Sequence, residues 1–202
     1  MQGINFYFSY NTDSDTLDVL LHGGSKGIES SFIQKLFKAS QDNAHSVIAF
    51  NFPYLDRGEE QSSGPELQEE LEVLKRVIEY ASIKEYRHIR LIGKSLGGIV
   101  ASYFSKKLPI HEQKKYSVII LGYVLGSVDL KEFTGNIVVI QGSNDKFGNI
   151  EKVKSDLEGL ATKKITYINI DGADHSFRDL ETKEPVYEDV VIEKVNDLVT
   201  ES

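Results

Sequence analysis

The pentapeptide Gly93-Lys94-Ser95-Leu96-Gly97 joins an apolar run, Ile89-Arg90-Leu91-Ile92, to a helix-like run, Ile99-Val100-Ala101-Ser102-Tyr103-Phe104. A strand that enters a helix through so short a connection must turn sharply enough to force its central residue into strained backbone angles. The flanking glycines carry no Cβ to collide with the adjoining strand and helix. The turn therefore lifts the Ser95 hydroxyl above a sheet edge, where a substrate carbonyl can reach it. The plainer reading of Ser95 is a helix N-cap. Two glycines at this spacing, between these flanks, favour the exposed nucleophile.

The rest of the chain alternates in the same way. Residues 4–10 alternate apolar and polar side chains before the turn-forming Asn11-Thr12-Asp13-Ser14-Asp15, which predicts a first strand. Further strands are predicted over 17–21, 46–52, just before Ser95, and over 117–123, 136–141 and 164–170. Helices are predicted over 30–44, 65–81, just after Ser95, and over 149–160 and 190–199. Helical spacing is clear in Phe32, Ile33, Leu36, Phe37 and Ala39, and again in Leu67, Leu71, Leu74, Val77 and Ile78. Pro65 is placed to open the second of these helices. Residues 54–64 are polar and contain glycine, and read as a long loop that could form a partial lid.

The apolar runs near 117–123 and 136–141 suit strands buried on both faces. Strands alternating with helices imply an α/β architecture, a mostly parallel central sheet with helices on both faces. A chain of 202 residues without internal repeat or clear linker is expected to form a single domain over residues 1–202. No segment is long enough for a separate cap domain.

A net charge of −8 repels polyanions, so neither nucleic acid nor an anionic membrane is an expected partner. Cysteine is absent, which excludes disulfides, thiolate catalysis and cysteine-based metal sites. No basic segment followed by an apolar one opens the sequence, and no apolar run approaches membrane-spanning length. A cytoplasmic location is therefore expected.

A serine hydroxyl is a poor nucleophile near neutrality and needs an adjacent base, which a third group must orient. In this architecture the partners follow in the order serine, acid, histidine, each just beyond a strand end. The strand over 136–141 runs into Gly142-Ser143-Asn144-Asp145, and the last strand runs into Asp171-Gly172-Ala173-Asp174-His175. Ser95, Asp145 and His175 thus converge on the sheet edge where open α/β sheets place ligands. Asp145 can also be read as a turn aspartate, and Asp171, Asp174 and Asp179 compete for the acid role. These three crowd His175 in sequence and miss the earlier strand end. His175 has a surface-loop alternative. His45 and His88 precede strands and belong at the opposite edge, and His111 lies in a polar connection.

His22-Gly23-Gly24 follows an early strand and reads either as an ordinary glycine turn or as half of an oxyanion hole. In the second reading the backbone N–H groups of Gly24 and Leu96 face a developing oxyanion, and His22 shapes the loop. One such donor is worth on the order of 3 kcal/mol. Lys26, Lys94 and Lys146 lie near these motifs, where they read as solvated lysines or as attractors of a carboxylate.

Together these residues resemble the α/β-hydrolase superfamily, and in particular a small cap-less group of hydrolases distantly similar to dienelactone hydrolase. The resemblance runs from residue 20 to residue 177. It rests on Leu21-His22-Gly23-Gly24, Asn51-Phe52-Pro53-Tyr54, Gly93-Lys94-Ser95-Leu96-Gly97-Gly98, Leu121-Gly122-Tyr123, the segment from Gln141 to Gly148, and Asp171-Gly172-Ala173-Asp174-His175. Dienelactone hydrolase carries a cysteine nucleophile and this chain has none, so that substrate is not carried over. Lys146 and Val124 stand where the group often has proline, which alters the loops near the acid. The resemblance implies a carboxylesterase-like serine hydrolase acting on a small-molecule ester or thioester, without metal or cofactor. Acyl transfer through the same triad and a non-catalytic binding role are the rival readings. Oligomeric state is not legible. A free imidazole titrates at about 6.5, so a histidine base implies activity that rises from mildly acidic to neutral pH.

Overall fold

The computed structural model describes residues 3–82 and 84–198. Its strands are β1 (Phe6–Ser9), β2 (Thr16–Leu21), β3 (Ser46–Phe50), β4 (His88–Lys94), β5 (Tyr116–Leu121), β6 (Asn136–Gly142) and β7 (Ile165–Ile170). They form one sheet in the order β1-β3-β2-β4-β5-β6-β7. β1 pairs antiparallel with β3 at one edge, and every other pairing is parallel. The helices are α1 (Ser31–Asp42), α2 (Pro53–Asp56), α3 (Gln68–Ala81), α4 (Leu96–Lys106), α5 (Ile150–Asp156) and α6 (Glu188–Asp197).

The inner strands are apolar throughout because both of their faces are covered. Successive side chains point to opposite faces, so each strand feeds two cores. Leu17, Val19 and Leu21 of β2, Val118 and Ile120 of β5, and Ile137 and Val139 of β6 pack with α3, α4 and α5. Leu20, Ile119, Leu121, Val138 and Ile140 pack with Phe32, Ile33 and Leu36 of α1 and Val191 and Val195 of α6. Ser30 caps α1 by accepting a hydrogen bond from the Ile33 amide.

Two expectations for the segment after β3 are corrected. Residues 54–64 do not form one open loop. Pro53 opens the short helix α2, Tyr54 is fully buried, and the Asp56 carboxylate accepts hydrogen bonds from Asn5 and Asn51. Arg57 then bridges Glu59 and Glu69, and Ser63 donates to Glu70, which pins the remainder against α3. Pro65 does not open the next helix. It lies in a turn closed by the Leu67 amide on the Gly64 carbonyl. Leu67 is left-handed at φ 50°, and α3 begins only at Gln68. The expected end of the closing helix at Val199 lies outside the described residues.

The topology fixes where a site can form. β2 is flanked by β3 on one side and β4 on the other. Its following helix α1 covers one face, whereas α4, which follows β4, covers the other. The chains leaving β2 and β4 therefore diverge and open a crevice at the carboxyl ends of the strands.

At the opposite end, Asp18 of β2 lies in register with Arg90 of β4 on the α1 face. Arg90 Nε sits 2.8 Å from one Asp18 oxygen, and His45 Nδ1 sits 3.0 Å from the other. Burial alone raises the Asp18 carboxyl, but Arg90 and then His45 outweigh it and hold it below its ordinary value. A depressed carboxylate contributes stability that is complete above its unfolded-state pKa, about 3.9, and is lost as pH falls through the lower folded value. Arg90→Met strands a buried charge and is expected to cost about 3–5 kcal/mol. It also removes the main cation that depresses Asp18, so burial should raise that carboxyl and the deficit should shrink as pH falls and Asp18 takes up a proton. Urea melts of both proteins at neutral and at acid pH check both effects. Midpoints equal to those of the unsubstituted protein would refute the assignment.

Candidate active site

Ser95 connects β4 to α4 with φ 49° and ψ −112°, outside the usual regions for a residue with a side chain. Close packing imposes this geometry. A Cβ on Gly93 would overlap the Gly97 carbonyl, and one on Gly97 would overlap the Leu21 carbonyl of β2. The Ser95 amide donates to the Leu121 carbonyl at the end of β5 (3.0 Å), which fixes the turn from the other side.

The structure brings Ser95, His175 and Asp145 into one hydrogen-bonded chain. His175 Nε2 lies 2.9 Å from Ser95 Oγ, and His175 Nδ1 lies 2.7 Å from Asp145 Oδ2. The carboxylate can only accept, so Nδ1 carries the proton and Nε2 is left to accept from the serine hydroxyl. Asp145 Oδ1 accepts from the Phe147 amide (2.8 Å), and the Phe147 ring stands edge-on to His175 with centroids 4.6 Å apart. The competing carboxylates are engaged elsewhere. Asp174 accepts from the Ser176 and Arg178 amides, and Asp179 accepts from Glu181 and Thr182. Asp171 has an exposed position beyond β7.

Two loops must be held together for this chain to exist, and the side chains that do so were not legible in the sequence. Buried Gln141 accepts from the Tyr123 amide (2.6 Å) and donates to the Gly148 carbonyl (2.6 Å). It thereby ties the end of β5 to the Asp145 loop. Ser143 Oγ accepts from the Gly172 amide (2.9 Å), and the Asn144 amide donates to the Ala173 carbonyl (2.9 Å). These bonds fasten the Asp145 loop to the His175 loop.

The loop after β2 is held by the Asn51-Phe52 segment. His22 Nε2 accepts from the Phe52 amide (2.9 Å), so its proton is on Nδ1, which faces the Gly23 carbonyl (2.5 Å). Burial lowers the basicity of this ring and keeps it neutral. His22 therefore shapes the loop, as the sequence suggests. Asn51 Oδ1 accepts from the Ile28 amide (3.0 Å). Gly27 has φ +58°, and a Cβ there would strike the Asn51 side chain.

Between these loops lies a cavity of about 260 Å³. Gly24, Ser95 and His175 share it with Ser25, Lys26, Ser30, Ser31, Phe32, Lys94, Ser176, Arg178 and Glu188. The walls include Gly24 but not Leu96. Leu96 is the first residue of α4, a position whose N–H has no acceptor within its own helix. Lys26 and Lys94 border the cavity, whereas Lys146 lies over the Phe147 ring at 4.9 Å. No residue of 54–64 lines it, so the lid expectation fails. That segment is pinned to α3 by the contacts described above. A larger cleft of about 550 Å³ between α3 and α4 contains none of these residues. Among the described residues, no group of three or more His, Cys, Asp or Glu side chains is placed to hold a metal ion. No helix among them is long and apolar enough to cross a membrane.

The family model for the alpha/beta hydrolase domain matches residues 14–201. The chain belongs to the alpha/beta hydrolase family. Solved hydrolase-fold structures agree with this membership at the level of the fold. A protein of unknown function from Agrobacterium tumefaciens superposes with a TM-score of 0.75 at 16% identity, covering 98% of this chain and 90% of that one. A dienelactone hydrolase from Anabaena variabilis gives 0.74 at 13% identity, with 98% and 91% covered. An alpha-beta serine hydrolase homologue from Coxiella burnetii gives 0.69 at 15% identity, with 98% and 93% covered. No curated protein matches the chain in sequence.

The elbow of this alpha/beta hydrolase depends on backbone contact, which makes a paired prediction. Gly97→Ala drives a methyl into the Leu21 carbonyl, which cannot yield, and should destabilise by about 1–3 kcal/mol or more. Gly24→Ala meets nothing within 4 Å and should melt like the unsubstituted protein. Thermal melts of the two variants test this. Equal melting temperatures would contradict the packing account.

Proposed function

We propose that this alpha/beta hydrolase is a serine hydrolase that cleaves small carboxylic esters or thioesters through an acyl-enzyme. The observation that carries the proposal is the Asp145–His175–Ser95 hydrogen-bonded chain ending on a strained serine at a cavity mouth. In this reading Ser95 Oγ attacks the substrate carbonyl while His175 Nε2 takes its proton. Asp145 keeps the second imidazole proton on Nδ1 and stabilises the imidazolium. The N–H groups of Gly24 and Leu96 face the oxyanion. His175 then protonates the departing alcohol or thiol, and the same nitrogen activates the water that releases the acid.

The cavity supports a small and polar acyl or alcohol group. Its 260 Å³ falls below the ~300–1,000 Å³ usual for pockets that enclose drug-sized ligands. Most of its walls are hydroxyl or charged side chains. Acetyl esters of p-nitrophenol should therefore be cleaved with kcat/KM roughly tenfold or more above decanoyl esters. A rising preference with chain length would refute this part of the reading.

Labelling by a fluorophosphonate probe tests the chemistry directly. The unsubstituted protein should label, and both Ser95→Ala and His175→Ala should abolish labelling. Equal labelling of Ser95→Ala would move the nucleophile elsewhere. A folded protein that does not label would leave the fold with a binding role instead.

A further inference from the structure

The residue before Ser95 has an unusual position. Lys94 closes β4, and its side chain turns toward the loop that carries His175. Its Nζ donates to the His175 main-chain carbonyl at 2.6 Å. The same Nζ lies 5.3 Å from the centre of the Phe177 ring, two residues further along that loop. Gly122, at φ +75°, forms the floor. A Cβ there would lie 2.9 Å from Lys94 Nζ, 3.0 Å from the His175 carbonyl oxygen and 3.1 Å from His175 Cε1. The loop, the ammonium and the end of β5 therefore meet with no room for a side chain.

Among the described residues, no other hydrogen bond reaches the His175 main chain. Nor does any carboxylate there come within ion-pair distance of Lys94. A lysine head group in so enclosed a place, spent on a neutral carbonyl, calls for a role.

We propose that Lys94 is a positioning residue, which fastens the His175 peptide to the strand that carries Ser95 and so sets the Nε2-to-Oγ distance. This rests on the serine-hydrolase reading above. Adjacent residues of one strand end then hold both partners of the proton transfer, Ser95 by the turn and His175 by its main chain. A misplacement of about 1 Å in such a pair can lower turnover on the order of 10²-fold.

The surroundings give this device a pH signature. Burial lowers Lys94 to about 8, against the opposing influence of Asp145 and then Asp174. Asp145 comes from the loop after β6, and Asp174, His175 and Arg178 from the loop after β7. Lys26 from the loop after β2 and Glu188 of α6 border the same cavity. Above that pH the ammonium becomes an amine, a weaker donor without charge. Activity should then fall on the alkaline side.

The test compares the unsubstituted protein, Lys94→Met and Lys94→Arg. Fluorophosphonate labelling rates and p-nitrophenyl acetate kinetics are followed from about pH 5 to about pH 10, with thermal melts of each variant. Lys94→Met should fold, lose kcat on the order of 10²-fold with KM nearly unchanged, and show no alkaline decline. Lys94→Arg keeps a charged donor throughout this range and should recover part of kcat, also without the decline. A Lys94→Met variant with unchanged kcat and pH profile would overturn the proposal. If that variant does not fold, the unsubstituted profile decides, because labelling that stays flat through pH 8 and above is incompatible with the role. A protein that labels at no pH would instead remove the serine-hydrolase reading itself.

Discussion

The whole site depends on bridging a gap of two strands. Ser95 leaves β4 and His175 comes from beyond β7, with β5 and β6 between them. Three strand spacings amount to about 14 Å. The His175 loop spans this distance by lying directly on the ends of the intervening strands. Gly142 ends β6 beneath the Ala173 and Asp174 carbonyls, and Gly122 follows β5 beneath His175. A side chain at either place would lift the loop off the sheet and carry the imidazole away from the serine. The hydrogen bonds of Ser143 and Asn144 then keep the loop down, and those of Gln141 hold the Asp145 loop beside it. The cavity is the space left between this loop and the first turn of α1.

Features set by local packing were legible in the sequence. The elbow could be read because its glycines and its serine are neighbours, and their spacing leaves few alternatives. Asp145 was separable from Asp171, Asp174 and Asp179 because strand order alone places it beyond β6, and the structure finds the hydrogen bond there. The clamps were not legible. Gln141 reaches Tyr123 across 18 residues, and Lys94 reaches His175 across 81. In sequence, each is a single polar residue at the end of a strand. Polar composition also concealed α2, since it takes only Pro53 and the buried Tyr54 to draw that segment inward. Pro65 misled for a related reason. A proline suits a turn as well as a helix start, and the left-handed Leu67 decides between them.

The histidines show how position along a strand determines what the same side chain does. His45, ahead of β3, joins Asp18 and Arg90 in a buried ion cluster at the amino end of the sheet. His22, just after β2, gives both ring nitrogens to backbone groups and is kept neutral by burial. His175, beyond β7, has one nitrogen on a carboxylate and the other on a hydroxyl. Only the last joins a carboxylate to a serine hydroxyl at the cavity. The amino edge thus holds a buried ion pair, and the carboxyl edge holds the histidine that borders the cavity.

Charge divides in the same way between the molecule and its cavity. The chain as a whole carries −8, yet Lys26, Lys94 and Arg178 border the cavity against a single carboxylate, Glu188. Glu188 is in turn offset by Lys35, 3.4 Å away on α1. Global charge is screened within about 10 Å at ordinary salt, whereas partly buried charges act at short range in a poorer dielectric. The charges beside Ser95, which include the buried Asp145 carboxylate bonded to His175 as well as the cations bordering the cavity, therefore outweigh the acidic surface there. An acidic protein can in this way gather cations around one cavity, and net charge read from composition carries no information about that arrangement.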